Sequence, residues 1–135
     1  MRIEKNFELL HNIKSAGIIL RPSSPELKEI YLKIKELFEK ADIEIFLEDN
    51  SALMISLKGI PLDELCSKVD FLISVGGDGT LLSVVRKSYK YDKPVLGINL
   101  GTLGFLTDIS MEQLPSFIKD LKNNIYKIDN RMMVE

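Results

Sequence analysis

The sequence has 135 residues, 45% of them hydrophobic, which is enough for one globular domain with a core of its own. The formal net charge is −2 and the basic residues are scattered, so the composition excludes the electrostatic footprint of a nucleic-acid-binding protein. No apolar run reaches membrane-spanning length and the first residues lack the apolar stretch of a signal peptide, so we predict no membrane partner.

The first half of the chain predicts two strands and one long helix. Residues 1–14 carry apolar side chains at helical spacing and are predicted to form a short helix or an arm. Residues 16–20 are an apolar run of strand length. Ser24 followed by Pro25 predicts a helix start, because serine caps helices and proline suits the first helical position. After this helix come a strand at 43–47, a segment at 52–57 that fits a strand or a helical turn, and a short helix at 61–67.

The most informative stretch is DFLISVGGDGTLLSVVRKSY at 70–89. Residues 71–75 form a short apolar run of strand length, and a run of glycines that no strand can continue follows at once. After Thr80 the apolar residues fall on one side of a helix of period 3.6, namely Leu81, Leu82, Val85 and Tyr89. We therefore predict a strand, a glycine turn and a helix, which is where α/β proteins bind ligands.

The glycines of this turn, Gly76, Gly77 and Gly79, predict a phosphate site. Glycine can take positive φ, and it lets the backbone approach a bound group because it has no Cβ. Successive N–H groups in front of a helix N-terminus form a concave site for anions. The carboxylate of Asp78 indicates that this residue accepts a proton from an attacking hydroxyl or holds Mg²⁺ beside the phosphates. The alternative is that Asp78 only caps the helix. The turn alone leaves both interpretations open.

A second glycine-rich stretch, GINLGTLGFLTD at 97–108, follows a strand predicted at 95–99. Loops that leave neighbouring parallel strands at one end of a sheet share a cleft, so we expect both glycine segments at one site. Phe105 offers a flat apolar face for a base there, the alternative being an ordinary turn with a buried phenylalanine. A helix is predicted within 110–123. It begins near Pro115 and directs Phe117, Ile118 and Leu121 toward the core. A strand is predicted at 125–135.

Strands that alternate with helices predict a mostly parallel sheet covered on both faces, a three-layer, Rossmann-like α/β domain spanning 15–123. Neither the G-x-G-x-x-G nor the G-x-x-x-x-G-K-[ST] fingerprint occurs, so ordinary dinucleotide and Walker motifs are absent. The lone Cys66 agrees with a reducing cytoplasm, and neither it nor the lone His11 has partners at metal-ligand spacing. We therefore predict a cytoplasmic protein with no metal site built from its own residues.

GGDGT at 76–80, followed after one more strand by GINLGTLGFLTD, resembles the NAD kinase family over about 16–135. GGDGT alone is shared with diacylglycerol and other lipid kinases, but LGTLGFLTD separates this sequence from them. The resemblance implies transfer of the γ-phosphoryl group of ATP, or in some members of polyphosphate, to the 2′-hydroxyl of the adenosine ribose of NAD, giving NADP. The alternatives are a lipid kinase domain and a nucleotide-binding module without catalysis.

The resemblance also implies roles for single residues. Asp78 matches the family's proton acceptor, with Gly79 beside it at the nucleotide, and Phe105 with Leu106 matches the lining of the adenosine pocket. The phosphate-facing turn is completed by Gly76, Gly77 and Thr80. The implied cofactor is a divalent cation, Mg²⁺, bound with ATP, and the implied full-length enzyme is a homo-oligomer, a dimer or a tetramer.

The family has a second, largely β domain, and NRMMVE at 130–135 resembles its start. We expect this domain to be missing here, with 124–135 as the beginning of a truncated C-terminal domain. We also expect the chain to be inactive alone, since the missing domain supplies the other wall of the cleft.

Overall fold

The computed structural model describes residues 13–101 and 109–122. The strands in these ranges are β1 (Ser15–Leu20), β2 (Glu44–Leu47), β3 (Phe71–Gly76), β4 (Val95–Asn99) and β5 (Ile109–Ser110). The helices are α1 (Lys28–Lys40), α2 (Asp49–Met54), α3 (Leu62–Lys68), α4 (Asp78–Ser88) and α5 (Leu114–Lys122). Short 3₁₀ turns lie at Pro25–Leu27, Tyr89–Tyr91 and Met111–Gln113. Nearly all of the arm predicted at 1–14 and all of the strand predicted at 125–135 lie outside the described residues.

The described strands form one parallel sheet in the order β2-β1-β3-β4-β5. Every residue of β3 is buried, because other strands flank both of its edges and helices cover both faces. Leu20 at the end of β1 pairs with Val75, and Gly76 at the end of β3 pairs with Asn99 of β4. The carboxyl ends of these three strands therefore meet at one edge, and the predicted parallel arrangement is confirmed.

Helices on the two faces of the sheet create two apolar cores. One core joins Ile73 of β3 to Ile34 of α1 and Ile118 of α5. The other joins Leu72 of β3 to side chains of α3 and α4, namely Leu65, Cys66, Leu81, Val84 and Val85. Neighbouring residues of β3 belong to different cores because successive side chains of a strand point to opposite faces. The predicted three-layer organisation is therefore confirmed.

The start of α1 differs in part from the prediction. Pro25 opens a 3₁₀ turn, and α1 itself begins at Lys28. The hydroxyl of Ser24 donates to the carbonyl of Pro22 at 3.0 Å and accepts from Nε of Arg21 at 2.8 Å, and it makes no capping bond to the helix. The predicted position of the helix start is therefore confirmed, with Ser24 at the N-cap and Pro25 first in the turn, but the side chain of Ser24 makes no capping bond because local partners occupy the same oxygen.

Two further details concern α2 and α4. The segment at 52–57 fitted either a strand or a helical turn. Its first residues belong to α2, which begins at Asp49 and ends at Met54, so the strand interpretation is wrong. Leu81 and Val85 are buried as predicted, but Tyr89 is 60% exposed because α4 ends one residue before it.

In the part of the chain that the structure describes, no helix has the length and apolar character needed to cross a bilayer.

Candidate functional site

The candidate site lies at the carboxyl edge of the sheet, where β3 ends in the glycine turn. From β1 the chain moves outward to β2 on one side, and from β3 it moves to β4 and β5 on the other side. The strand order therefore reverses between β1 and β3. In open α/β sheets such a reversal leaves a crevice beyond the carboxyl ends of the strands, and ligands bind there.

The glycine turn is short. Gly76 ends β3, Gly77 is the N-cap and Asp78 is the first residue of α4. The N–H of Leu81 donates to the carbonyl of Gly77 at 3.0 Å, which closes the first turn of the helix. Within the described ranges no glycine has positive φ, and Gly77 itself has φ −139° and ψ −161°. Of the two uses of glycine named above, positive φ does not apply in this turn, so its glycines matter through their missing Cβ atoms.

The missing Cβ has a different use at different positions of the turn. At Gly76 a Cβ would lie 2.6 Å from Oγ1 of Thr80 and 3.1 Å from Cβ of Arg21, so this glycine allows α4 to begin close to the sheet. At Gly77 and Gly79 a Cβ would meet nothing within 4 Å. Both positions border open space, where a ligand can approach the backbone N–H groups at the start of α4.

Asp78 stands at the first position of α4, since Gly77 occupies the N-cap. The interpretation of Asp78 as the cap of this helix is therefore wrong. A carboxylate at the first helical position is still favoured by the positive end of the helix dipole. The arrangement places a carboxylate beside glycines whose Cβ positions border open space. The role of Asp78 as proton acceptor stays a prediction.

Backbone hydrogen bonds hold the turn between the neighbouring strands. The N–H of Arg21 donates to the carbonyl of Val75 at 2.9 Å, and the N–H of Leu100 donates to the carbonyl of Gly76 at 2.9 Å. The buried Asn99 accepts at Oδ1 from the N–H two residues further on, at 2.7 Å. The loop after β4 thus begins as an Asx turn beside the glycine turn. Sequence reasoning missed this asparagine, although Asn-x-Gly after a strand is a turn signal.

A cleft of about 690 Å³ opens at the site, and the end of β1, the residues around α2 and one face of α4 from Gly79 to Lys87 line it. This volume lies within the range of about 300–1,000 Å³ that is typical of small-molecule sites. Of the predicted site residues, Gly79 and Thr80 line the cleft, whereas Gly76, Gly77 and Asp78 do not. Phe105 and Leu106 lie outside the described residues, and their predicted roles stay predictions.

Glu48, directly after β2, lines the cleft and was missed by sequence reasoning. It is only 7% exposed, and its carboxylate accepts from the N–H groups of Asn50 at 2.8 Å and Ser51 at 3.0 Å, and from the hydroxyl of Ser51 at 2.9 Å. The same hydroxyl accepts from the N–H of Leu20 at 2.8 Å, which ties α2 to β1. The available signal was an acidic residue just after the second strand, where Rossmann proteins bind a ribose.

Within the described residues, the groups whose pKa is clearly shifted lie away from this edge of the sheet. Cys66 is buried among apolar side chains of α3 and α4, and this burial raises the pKa of its thiol. Burial, with the nearby carboxylate of Glu39, raises the pKa of Tyr31. A hydrogen bond from Lys35 holds the pKa of Glu39 below its usual value. Residues 13–101 and 109–122 contain no cluster of three or more His, Cys, Asp or Glu side chains that could hold a metal ion.

The fold and the site together define a class of protein: a parallel α/β domain with a glycine-rich turn and a carboxylate at the switch point of the sheet. Comparison with known proteins then gives the family. The family model of the ATP-NAD kinase N-terminal domain matches residues 16–126, and the chain therefore belongs to this family. The resemblance drawn from GGDGT and LGTLGFLTD is confirmed.

Several curated relatives carry the name NAD kinase. The chain is 51% identical over 126 residues to the NAD kinase of Wolinella succinogenes, covering 93% of this chain and 43% of the relative. It is 51% identical over 123 residues to that of Sulfurimonas denitrificans, covering 91% and 43% respectively. A match to the NAD kinase of Helicobacter hepaticus is 44% identical over 127 residues and covers 93% of this chain and 42% of the relative. The chain thus spans less than half the length of these relatives.

Among solved structures, the chain is similar to yeast NADH kinase complexed with NADH, with a TM-score of 0.68 and 20% sequence identity. The match covers 85% of this chain and 39% of the yeast chain. At this identity the likeness concerns the fold alone, and it agrees with the α/β architecture described above.

Proposed function

We propose that this chain is the α/β part of an NAD kinase, which transfers the γ-phosphoryl group of ATP to the 2′-hydroxyl of the adenosine ribose of NAD. Membership of the ATP-NAD kinase family and the names of the relatives support this proposal. The single observation that carries it is the position of Asp78. This carboxylate begins α4 at the end of the central strand, beside two glycines whose Cβ positions face open space.

In the proposed reaction Asp78 accepts the proton of the ribose hydroxyl. The ribose oxygen forms a bond to the γ-phosphorus, the bond from that phosphorus to the bridging oxygen breaks, and ADP leaves. Backbone N–H groups at the start of α4 hold the phosphates in line with the attacking oxygen. Positioning and charge neutralisation supply most of the acceleration in phosphoryl transfer, so the rigid turn between β3 and α4 contributes as much as the base does.

The proposed cofactor is Mg²⁺ bound with ATP. The described residues hold no cluster of three or more ligating side chains. The carboxylate of Asp78 at the start of α4 is a donor that suits Mg²⁺, which is commonly held by substrate phosphates, waters and one or two carboxylates. In the turn, Asp78 is the residue that would contact the ion. When bound, the ion neutralises the charge of the phosphates.

The test is the activity of the complete gene product that carries this chain, called the complete protein below. We expect it to form NADP from NAD and Mg·ATP, measured with an NADP-specific dehydrogenase, and to leave diacylglycerol unphosphorylated. Phosphorylation of the lipid without NADP formation would sink the proposal in favour of a lipid kinase. The proposal includes a cytoplasmic location and a homo-oligomer, dimer or tetramer, which fractionation of cells and sedimentation of the complete protein would check.

A further inference from the structure

Strand β2 lies at one end of the sheet among the described strands, so only one of its sides is paired with a strand, β1. The N–H of Glu48, which follows β2 directly, donates to the carbonyl of Ile18 in β1 at 3.0 Å. Backbone groups of successive residues in a strand point to opposite sides, so the residues of β2 that face away from β1 are Ile45 and Leu47. Unpaired N–H and C=O groups at such an edge are a template on which another chain can add a strand.

Two of the four outward-facing backbone groups of β2 already have partners. The N–H of Ile45 donates to the carboxylate of Glu39 at 3.3 Å, and the ammonium group of Lys35 holds the other oxygen of that carboxylate at 2.6 Å. The carbonyl of Leu47 accepts from the N–H of Ile60 at 3.0 Å. Within the described residues, the carbonyl of Ile45 and the N–H of Leu47 are the two groups left without a partner.

We infer that Glu39 and Ile60 close the free edge of β2 against pairing with a second copy of this chain. The inference concerns the assembly of the protein, and it does not depend on which substrates the protein takes.

The pairing that this edge would otherwise allow can be derived from its register. Two copies related by a two-fold axis would place their β2 strands antiparallel, with Phe46 of each copy at the axis. Ile45 of one copy would then lie opposite Leu47 of the other, and such a pair exchanges two hydrogen bonds. One of these bonds runs from the N–H of Ile45 to the carbonyl of Leu47. Glu39 occupies the first of these groups and Ile60 the second, so half of the bonds of this pairing cannot form.

Close packing holds Ile60 at the edge. The N–H of Asp49 donates to the carbonyl of Ile60 at 2.8 Å, so both backbone groups of Ile60 are bonded to the end of β2 and the start of α2. A Cβ at Gly59 would lie 2.6 Å from the carbonyl oxygen of Leu47 and 2.8 Å from Cβ of Ala52. A residue with a side chain at position 59 would push this segment away from β2. The block at Leu47 therefore depends on a glycine.

The first test compares two substitutions of Glu39 in the complete protein. Glu39→Ala frees the N–H of Ile45, whereas Glu39→Gln keeps a carbonyl oxygen that can accept from it. Both remove the ion pair with Lys35, so the loss of that pair is the same in the two variants. We expect Glu39→Ala to form assemblies larger than those of the unmutated protein, several-fold more than Glu39→Gln and increasingly with concentration. Sedimentation velocity measures them, and Glu36→Ala, at an exposed position of the same helix, controls for the loss of a carboxylate.

The second test identifies the surface that pairs. Phe46→Cys places a thiol at the axis of the excluded pairing, where the Cα atoms of the two copies would lie about 4.5 Å apart, within reach of a disulfide. Under mild oxidation we expect disulfide-linked pairs when Phe46→Cys is combined with Glu39→Ala, and several-fold fewer when it is combined with Glu39→Gln. The same proteins without Phe46→Cys give the background from other cysteines. Circular dichroism melting checks folding, and sedimentation decides alone if Phe46→Cys does not fold.

Each outcome bears on the inference. Equal amounts of larger assemblies in Glu39→Ala, Glu39→Gln and Glu36→Ala would overturn it, because the edge would then be closed without Glu39. Larger assemblies in Glu39→Ala without additional disulfide-linked pairs would overturn it as well, because another surface would then be responsible. Neither measurement uses NADP formation, so the proposed function stands or fails separately.

Discussion

At the scale of single residues, Asp78 carries the proposed chemistry. We predict that Asp78→Asn in the complete protein lowers kcat by about 10²–10⁴-fold, the usual contribution of a general base. The KM for NAD should move little, because the two side chains are nearly equal in size and Gly77, not Asp78, is the N-cap of α4. Steady-state kinetics with Mg·ATP and NAD checks this.

The matched control for Asp78 is Asp49→Asn. Asp49 is also the first residue of a helix, α2, and is exposed. Its loss should leave kcat unchanged, since an aspartate at that helix position gains only the small energy of the helix dipole. An Asp78→Asn protein that keeps more than roughly half of the wild-type kcat, far above the expected loss, contradicts the catalytic role.

The buried hydroxyl of Ser74 leads to a separate prediction about stability. It is 1% exposed in β3, and within the described residues its hydroxyl has no hydrogen-bond partner. A buried polar group without a partner costs about 1–3 kcal/mol, so Ser74→Ala should leave the melting temperature of the complete protein unchanged or raise it. Ser51→Ala is the control, because the Ser51 hydroxyl makes two hydrogen bonds and its loss should lower the melting temperature. A larger loss in Ser74→Ala than in Ser51→Ala would show that the Ser74 hydroxyl has a partner after all.

At the scale of elements, the junction of β3 and α4 depends on Gly76 for close packing and on Gly77 and Gly79 for the approach of a ligand to the backbone. We predict that Gly76→Ala destabilises the fold by about 1–3 kcal/mol, because its Cβ would lie 2.6 Å from Oγ1 of Thr80. Gly77→Ala should leave stability nearly unchanged, since its Cβ meets nothing within 4 Å and its φ is negative. Thermal melting separates the two variants. Because we propose that ligand phosphates approach the backbone at Gly77, Gly77→Ala should also weaken substrate binding while its stability is kept.

The contact between α1 and β2 predicts a pH dependence. Glu39 pairs with Lys35 at 2.6 Å and accepts from the N–H of Ile45 at 3.3 Å, and the bond from Lys35 lowers the pKa of Glu39. A carboxyl with a lowered pKa contributes stability that is present above its unfolded value, near 4.5, and is lost as the pH falls through the folded value.

The corresponding experiment compares two glutamates of α1. Glu39→Gln should lower stability at pH 7 by about 0.3–0.5 kcal/mol, and the difference should fade well below pH 4. Glu36→Gln is the control, because Glu36 is exposed on the same helix and makes no ion pair within the described residues. Equal losses in the two variants at pH 7 would contradict the role of the pair. Melting curves at several pH values measure both.

At the scale of the whole molecule, the proposed function requires two substrates at one site, of which this chain would provide one side. It spans 43% of the length of the Wolinella succinogenes relative. We predict that the purified 135-residue chain forms no measurable NADP, because an open half-site cannot exclude water or hold both substrates in line. The NAD kinase of Wolinella succinogenes, assayed in parallel, is the positive control. Turnover by the chain that approaches the control would prove this expectation wrong.

Local patterns determined the elements around the site. The apolar runs at 71–75 and 95–99 and the glycines after them predicted β3, β4 and the turn to within one residue. Strand length, apolar runs and glycine breaks act over a few neighbouring residues, so they are legible in the sequence. The same holds for the GGDGT segment, whose position after a strand indicated an anion site, and whose order with LGTLGFLTD indicated the family that the comparisons confirm.

Only the tertiary structure decided which residues share the site. Parallel pairing brings Leu20, Glu48 and Ser83 to one cleft although they lie far apart in the chain, and no local pattern encodes the order β2-β1-β3-β4-β5. The tertiary structure also shows why glycine is needed at position 76. Thr80 of α4 lies so close to the end of β3 that a Cβ would not fit there, whereas the φ of Gly76 is not positive. Strand order depends on the sum of many long-range contacts, so it becomes visible only when the chain is folded.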